Sequence, residues 1–202
     1  ERLHPDPDDN NNPTNRPGQF VRQQTLDVIT MIRQVAPRSR YFMFMEDDFE
    51  TCHNAVRAIQ YVVDKANEYN GQWLALRVSY GMNGIIMKSA DAMAFAEFLW
   101  KNVARLPPDL LYGEYRSSHQ GRPLMAYRFN LFNHIGTHSS LPRPNRPAFP
   151  KCHEELANVW SLSLEESFNI GQCPADDISP CGRTGGATSM VDWRMKCARR
   201  LR

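Results

Sequence analysis

Glu46, Asp47 and Asp48 are three consecutive carboxylates that follow five large apolar residues, Tyr41 to Met45. Carboxylates gathered this closely repel one another and are costly to desolvate, which argues for a divalent cation or a hydrogen-bonding ligand beside them. Side chains alternate along an extended chain, predicting Glu46 and Asp48 on one side and Asp47 on the other. Two anionic oxygen ligands would then stand together, a hard-cation site in outline. An acidic strand end that simply faces solvent is the plain structural alternative. A second dense stretch, Asn133-His134-Ile135-Gly136-Thr137-His138-Ser139-Ser140-Leu141, carries two imidazoles and three hydroxyls. Those groups could complete a metal or phosphate site, or a histidine there could serve as a structural hydrogen-bonder. Between the two lies Tyr80-Gly81-Met82-Asn83-Gly84, whose glycines suggest either close backbone approach by a ligand or a tight hairpin.

The elements that must position these residues read as helices alternating with strands. The apolar run 41–45 is too brief for a helix and shows no alternation. It predicts a strand buried on both faces of a parallel sheet, with its carboxyl end on the ligand side. Before it, Phe20, Leu26, Ile29, Ile32 and Val35 recur at helical spacing over 19–36, and Pro37 stops the pattern. After the carboxylates, Asn54 is placed to cap a helix with Val56, Ile59, Val63, Ala66 and Tyr69 on its face, ended by Asn70-Gly71. Strands are predicted at 73–79 and 85–87. Ser89 is then placed to cap a helix through Ala104 that buries Ala92, Phe95, Ala96, Leu99 and Val103 and closes at Pro107-Pro108. A last strand is expected over 126–132.

A chain of 202 residues is one domain's worth and can bury a sizeable core. Net charge of +2 gives no argument for nucleic acid, and no apolar run approaches the ~18 residues that span a bilayer. Residues 1–18, rich in Pro, Asp and Asn, predict a loop or disordered arm, leaving 19–150 as the core and 151–202 as a cysteine-bearing C-terminal extension packed on it. Four of the five cysteines fall in that extension, without the C-x-x-C spacing of zinc or redox motifs. Such a Pro-, Gly- and Cys-bearing region predicts disulfides and a secretory compartment. A Cys173–Cys181 bridge could close a compact loop, and the odd count leaves one thiol free or paired elsewhere. The cationic end, Lys196 to Arg202, could approach acidic lipid headgroups, or it is a solvated terminus. The first residue is Glu1 rather than Met, which suggests a processed chain or a segment of a longer one.

Three stretches resemble the N-acetylglucosaminyltransferase IV type of glycosyltransferase and its relatives that modify glycosylphosphatidylinositol glycans. They are the strand with Glu46-Asp47-Asp48, the block WLALRVSYGMNGIIMKSADAMAFAEFL, and FNLFNHIGTHSSL, the most specific of the three. The resemblance runs in order from Val21 to Leu141. It implies an α/β GT-A fold, a Rossmann-like sheet that binds a UDP-sugar and a divalent cation, Mn²⁺ or Mg²⁺. Carried onto this chain, Asp48 becomes the metal ligand, with His134 or His138 as a late histidine for metal or phosphate. Glu46 and Asp47 fall nearer the ribose or a metal-bound water, and Gly84 and Ser139 fall on the donor side. The metal would neutralise the departing diphosphate.

The resembled enzymes invert the anomeric configuration, which requires a carboxylate to take the acceptor's proton. Asp109-Leu110-Leu111 matches the first half of the family's acidic pair, while Gly113 stands near the second acid and Glu114 follows it. Glu114 is therefore the first candidate for the base and Asp109 the second, although an Asp after Pro108 also suits a capping role. In a GT-A fold much of the uridine pocket precedes the metal motif, and only 45 residues precede Glu46 here. Either the chain is part of a longer protein, or it has lost donor binding. The expected activity is transfer of an N-acetylhexosamine, GlcNAc or GalNAc, from a UDP-sugar to a glycan on a glycoprotein or GPI anchor, in the Golgi or ER lumen or as a secreted protein. The partners are then a nucleotide sugar and a glycan acceptor, and any membrane association falls to segments outside this chain. The alternative is a non-catalytic glycan-binding or structural protein on a degenerate GT-A fold. A metal-dependent hydrolase using the same acids and histidines is a third reading.

Overall fold

A computed structural model describes residues 16–136, 149–156 and 168–182. The anticipated arm before Arg16, the residues His138 and Ser139, and the cationic C-terminus with Cys197 lie outside the described residues. The described chain is a mixed α/β protein in two compact units, one formed by 16–43 and 86–122, the other by the remainder.

In the first unit, helix α1 (Gln19–Val35) ends in a short 3₁₀ turn, Ala36–Arg38, that holds Pro37. Proline has no N–H for an inner helical turn, so the predicted stop falls where expected. Ile29 and Ile32 are buried, but Phe20 is 72% and Val35 48% exposed. The apolar spacing thus located the helix and overstated its buried face. Strand β1 (Tyr41–Met43) pairs antiparallel with β4 (Ile85–Lys88), with Tyr41 opposite Lys88 and Met43 opposite Ile86. This corrects the expectation of a parallel strand buried on both faces, for only Phe42 of the three is fully buried.

Helix α3 (Ser89–Asn102) buries Ala92, Phe95, Ala96 and Leu99, and α4 (Pro108–Ser117) opens on Pro108 at a first-turn position that suits proline. Phe95 meets Tyr112 and Tyr115 at ring separations of 5.7 and 5.1 Å. Ser89 does not cap α3 through its side chain; its hydroxyl donates instead to the Ser39 carbonyl.

The second unit holds β2 (Phe49–Thr51), α2 (Ala55–Asn70), β3 (Ala75–Arg77), β5 (Leu124–Tyr127), β6 (Phe132–His134) and β7 (Ile178–Ser179). Within it β3 and β5 are parallel, with Leu76 opposite Met125, and β7 adds antiparallel to β5, giving a mixed sheet. The strand expected over 126–132 is two strands, β5 and β6, and Phe129 between them bridges to Glu155. Asn54 precedes α2 as predicted but caps it without a side-chain bond, adopting a left-handed backbone at φ 62°. The face of α2 also differs from the forecast. Val56 is 74% exposed, whereas Tyr61, Val62 and Lys65 are buried.

Lys65 is buried because the loop before β7 supplies its counter-charges. Its ammonium donates to Asp176 at 2.6 Å, to the Asp177 carboxylate, and to the Tyr61 hydroxyl at 3.1 Å. Tyr61 in turn donates to Asp177 and Tyr69 to Asp176, each at 2.6 Å. Burial alone lowers the Lys65 pKa, but these bonds more than offset it and lift the pKa above its ordinary value. Arg128 fixes the same loop through the carbonyls of Cys173 and Asp176 at 2.8 and 2.7 Å. The anticipated Cys173–Cys181 disulfide is present, and Cys52–Cys152 forms a second across 100 residues of sequence.

Candidate functional site

The three acids sit just beyond β1, on an irregular stretch that turns at Asp47-Asp48 into β2, so strand alternation does not set their directions. A pairing contact does. Phe49 of β2 stands opposite His134 of β6, and the Ile135 N–H donates to the Asp48 carbonyl at 2.9 Å. That register brings His134 Nε2 to 3.0 Å from Asp48 Oδ2. Gly136 packs against the same pair. A Cβ at that position would lie 2.4 Å from Asp48 Oδ2 and 3.0 Å from His134 Cε1, so no larger residue fits without displacing the acid.

The other Asp48 oxygen, Oδ1, is a buried atom without a hydrogen-bond partner among the described residues. Buried polar atoms are nearly always satisfied, and an unsatisfied one asks what ligand, ion or water completes it. Glu46 is exposed as a residue, yet partial desolvation of its carboxyl raises its pKa. Asn83 opposes that shift, Asp48 and Asp47 add to it, and His134 opposes it. Asn83, itself buried, also accepts the Glu46 N–H at 2.7 Å. Asp47 is exposed. Glu46, Asp48 and His134 thus lie together.

Three rings close around the pair. Phe49 lies 5.0 Å from His134 and 5.5 Å from Tyr80, while Phe149 stacks on Tyr80 at 5.2 Å and leans on His134 at 4.7 Å. Phe149 is held in place by its neighbours. The buried Asn130 amide donates to the carbonyls of Pro150 and Lys151 at 2.9 and 3.1 Å, and Cys152 is bound to Cys52 directly after β2. Tyr80, Asn83, Gly136 and Phe149 were not foreseen as site residues. Only the glycine-bearing turn and the histidine stretch marked their surroundings.

Gly84 takes φ +66°, and a Cβ there would lie 2.8 Å from the Ser79 nitrogen and Cβ. The close backbone approach suggested at this glycine is therefore made by Ser79 of the same chain.

The candidate bases belong to the first unit. Glu114, on α4, is exposed and engaged bidentately by Arg105, with one bond of 2.9 Å, and that hydrogen bonding lowers its pKa. Asp109 accepts the Leu110 N–H at 2.9 Å near the start of α4, the local turn role that suits an Asp after proline.

For a divalent cation, the donor chemistry is that of one carboxylate and one imidazole, Asp48 and His134. Among the described residues no group of three His, Cys, Asp or Glu side chains completes a metal set. The pair fits a cation that takes few protein ligands and fills its remaining positions from phosphate and water, as Mg²⁺ does with substrate phosphates.

The chain is similar to enzymes of known activity. It is 27% identical over 155 residues to a zebrafish alpha-1,3-mannosyl-glycoprotein 4-beta-N-acetylglucosaminyltransferase C, covering 76% of this chain and 34% of that protein. Over 122 residues it is 28% identical to the mouse protein of the same name and to a chicken alpha-1,6-mannosyl-glycoprotein 4-beta-N-acetylglucosaminyltransferase. Those matches cover 60% of this chain and 25% and 26% of the two relatives. The likeness is to N-acetylglucosaminyltransferases. The chain spans about a quarter to a third of the length of these relatives. No family model matches it, and no solved structure matches it significantly. Among the described residues, no helix is long and apolar enough to cross a membrane.

Proposed function

We propose that this chain carries the donor-side site of a metal-dependent, inverting glycosyltransferase of the GT-A type. It moves an N-acetylhexosamine from a UDP-sugar to a glycan of a glycoprotein or GPI anchor in the lumen of the secretory pathway. The observation that carries the reading is the Asp48–His134 pair, with its buried, unpaired carboxylate oxygen, in a chain similar to N-acetylglucosaminyltransferases. Two disulfides favour the oxidising compartment.

Asp48 and His134 would hold Mn²⁺ or Mg²⁺, which when bound supplies charge neutralisation to the diphosphate leaving group. Asn83 fixes the backbone at Glu46 and steadies its carboxylate, so that Glu46 presents an acceptor beside the pair. Gly136 gives Asp48 room. The donor-side roles expected of His138 and Ser139 fall outside the described residues. Glu114 is the proposed base, with Asp109 second. To take a proton from an acceptor hydroxyl, Glu114 must first leave Arg105, whose hydrogen bonds make it a weaker base.

That same ion pair favours one other reading, a glycan-binding protein on a degenerate transferase fold. Calorimetric titration of UDP into the chain with and without Mn²⁺, beside Asp48→Ala, separates the two. Manganese-dependent binding that disappears in Asp48→Ala is expected for the transferase. Absence of binding to the wild type favours the degenerate protein. In a chain that transfers sugar, Glu114→Gln is expected to reduce turnover by about 100-fold or more with unchanged UDP affinity. Unimpaired turnover would exclude Glu114 as the base.

A further inference from the structure

Tyr80 is 4% exposed, and its hydroxyl is a buried polar atom without a hydrogen-bond partner among the described residues. Only one other side-chain atom among the described residues shares that condition, and it is Asp48 Oδ1. The coincidence is spatial as well as chemical. Phe49 and Phe149 each pack against both Tyr80 and His134, and His134 Nε2 lies 3.0 Å from Asp48 Oδ2, so the phenol and the acid belong to one small cluster. The ring cannot carry the hydroxyl out to water, because Phe149 stacks on it at 15° and Phe49 packs beside it. Its backbone is held too, by the Asn83 N–H donating to the Tyr80 carbonyl at 3.1 Å and by Gly81 at φ 61°.

The two unsatisfied atoms narrow what can sit between them. An ionised carboxylate only accepts a hydrogen bond, and a neutral phenol both donates and accepts. A phosphate oxygen would suit Tyr80 and be repelled by Asp48. A bare cation would suit Asp48 and leave the phenol's hydrogen unplaced. An O–H group suits both, donating to Asp48 Oδ1 while accepting from Tyr80.

We propose that Tyr80 is a ligand-binding residue of this site, and that its hydroxyl and Asp48 Oδ1 jointly hold one O–H group of the bound donor assembly. The group comes either from a hydroxyl of the sugar nucleotide or from a water carried by the cation. This inference rests on the reading of the site as a metal-dependent donor site.

Tyr80→Phe removes the hydroxyl and keeps the ring stack, so it isolates the claim. In the full chain, the melting temperature of Tyr80→Phe without ligand is expected to equal or exceed that of the wild type, because an unsatisfied buried hydroxyl is lost. Binding is expected to weaken by about tenfold, the equivalent of one good hydrogen bond. Calorimetry with MnCl₂ alone and with UDP plus MnCl₂ locates the loss. Weakening already seen with Mn²⁺ alone assigns the O–H group to the cation's water, and weakening seen only with UDP assigns it to a nucleotide hydroxyl. Unchanged affinity for both probes, or a lower melting temperature without ligand, makes Tyr80 a structural tyrosine satisfied by trapped water and overturns the inference. A wild type that binds neither probe sinks the reading of the site itself and takes this inference with it.

Discussion

Asp176 and Asp177 share their unit of the molecule with Glu46 and Asp48, and both pairs crowd carboxylates that are partly withdrawn from water. The first pair meets a lysine of 3% side-chain exposure and two tyrosine hydroxyls, all from α2. The second meets one histidine, one amide and a phenol that makes no hydrogen bond among the described residues. Each pair bears a desolvation cost, and among the described residues only the first has it met by a full set of partners. Self-sufficient charge of that kind fastens a loop to a helix. Charge left short of a partner fastens nothing, and it is retained at a cost to folding that a bound ligand would offset.

The sharpest break of this contrast is Lys65→Met. It keeps the volume on α2 and strands two half-buried carboxylates beside Tyr61 and Tyr69, with an expected loss of about 3 kcal/mol in urea unfolding. Restoring neutrality with Asp176→Asn and Asp177→Asn in the same chain should recover most of that loss. A Lys65→Met chain within about 1 kcal/mol of wild type would mean that the network contributes only packing.

How much of this could be read from residues alone follows from the range of each interaction. The limits of α1 and α2 were legible because Pro37 and Asn70-Gly71 act locally on the backbone. The Cys173–Cys181 loop was legible for the same reason, its ends standing eight positions apart. The buried face of α2 was not. Lys65 and Tyr61 are covered by acids more than 100 positions further along the chain, and helical spacing is blind to that. Strand β1 was located but given the wrong pairing, since an apolar run does not say which neighbour it meets or in which sense. At the site, crowded carboxylates and paired histidines were visible as chemistry. Tyr80 was not, because an unpaired phenol looks like any core aromatic until its surroundings are known.

Acid titration sharpens the comparison by sign. The hydrogen bonds of Asp176, chiefly from Lys65, outweigh its burial and depress its folded pKa below the unfolded value. Its stabilisation is complete above the unfolded value, near 3.9, and drains away as pH falls through the folded one. Glu46 runs the other way. Its folded pKa is raised, so between the unfolded and folded values the native state holds the extra proton and stability falls as pH rises. Stability curves between pH 3 and 7 should therefore lose their acid-limb decline in part in Asp176→Asn, whereas Glu46→Gln should remove an opposing slope and gain stability at neutral pH. Parallel displacement of both curves from the wild type would mean that neither proton is linked to folding.

The smallest expected effect on folding is also the most informative about the acid end. Asp48→Asn removes a charge whose Oδ1 is unpaired and preserves an oxygen able to accept from His134. Its unfolding free energy should fall within about 1 kcal/mol of wild type, on the stable side if relief of crowding with Glu46 dominates. Mn²⁺ titrated during thermal unfolding should raise the melting temperature of the wild type by binding the native state and leave that of Asp48→Asn where it was. A loss of 2 kcal/mol or more without metal would put Asp48 in the same class as Asp176, as an anchor of the turn between β1 and β2. The acid end would then owe its composition to folding, and the cation would have to be sought elsewhere.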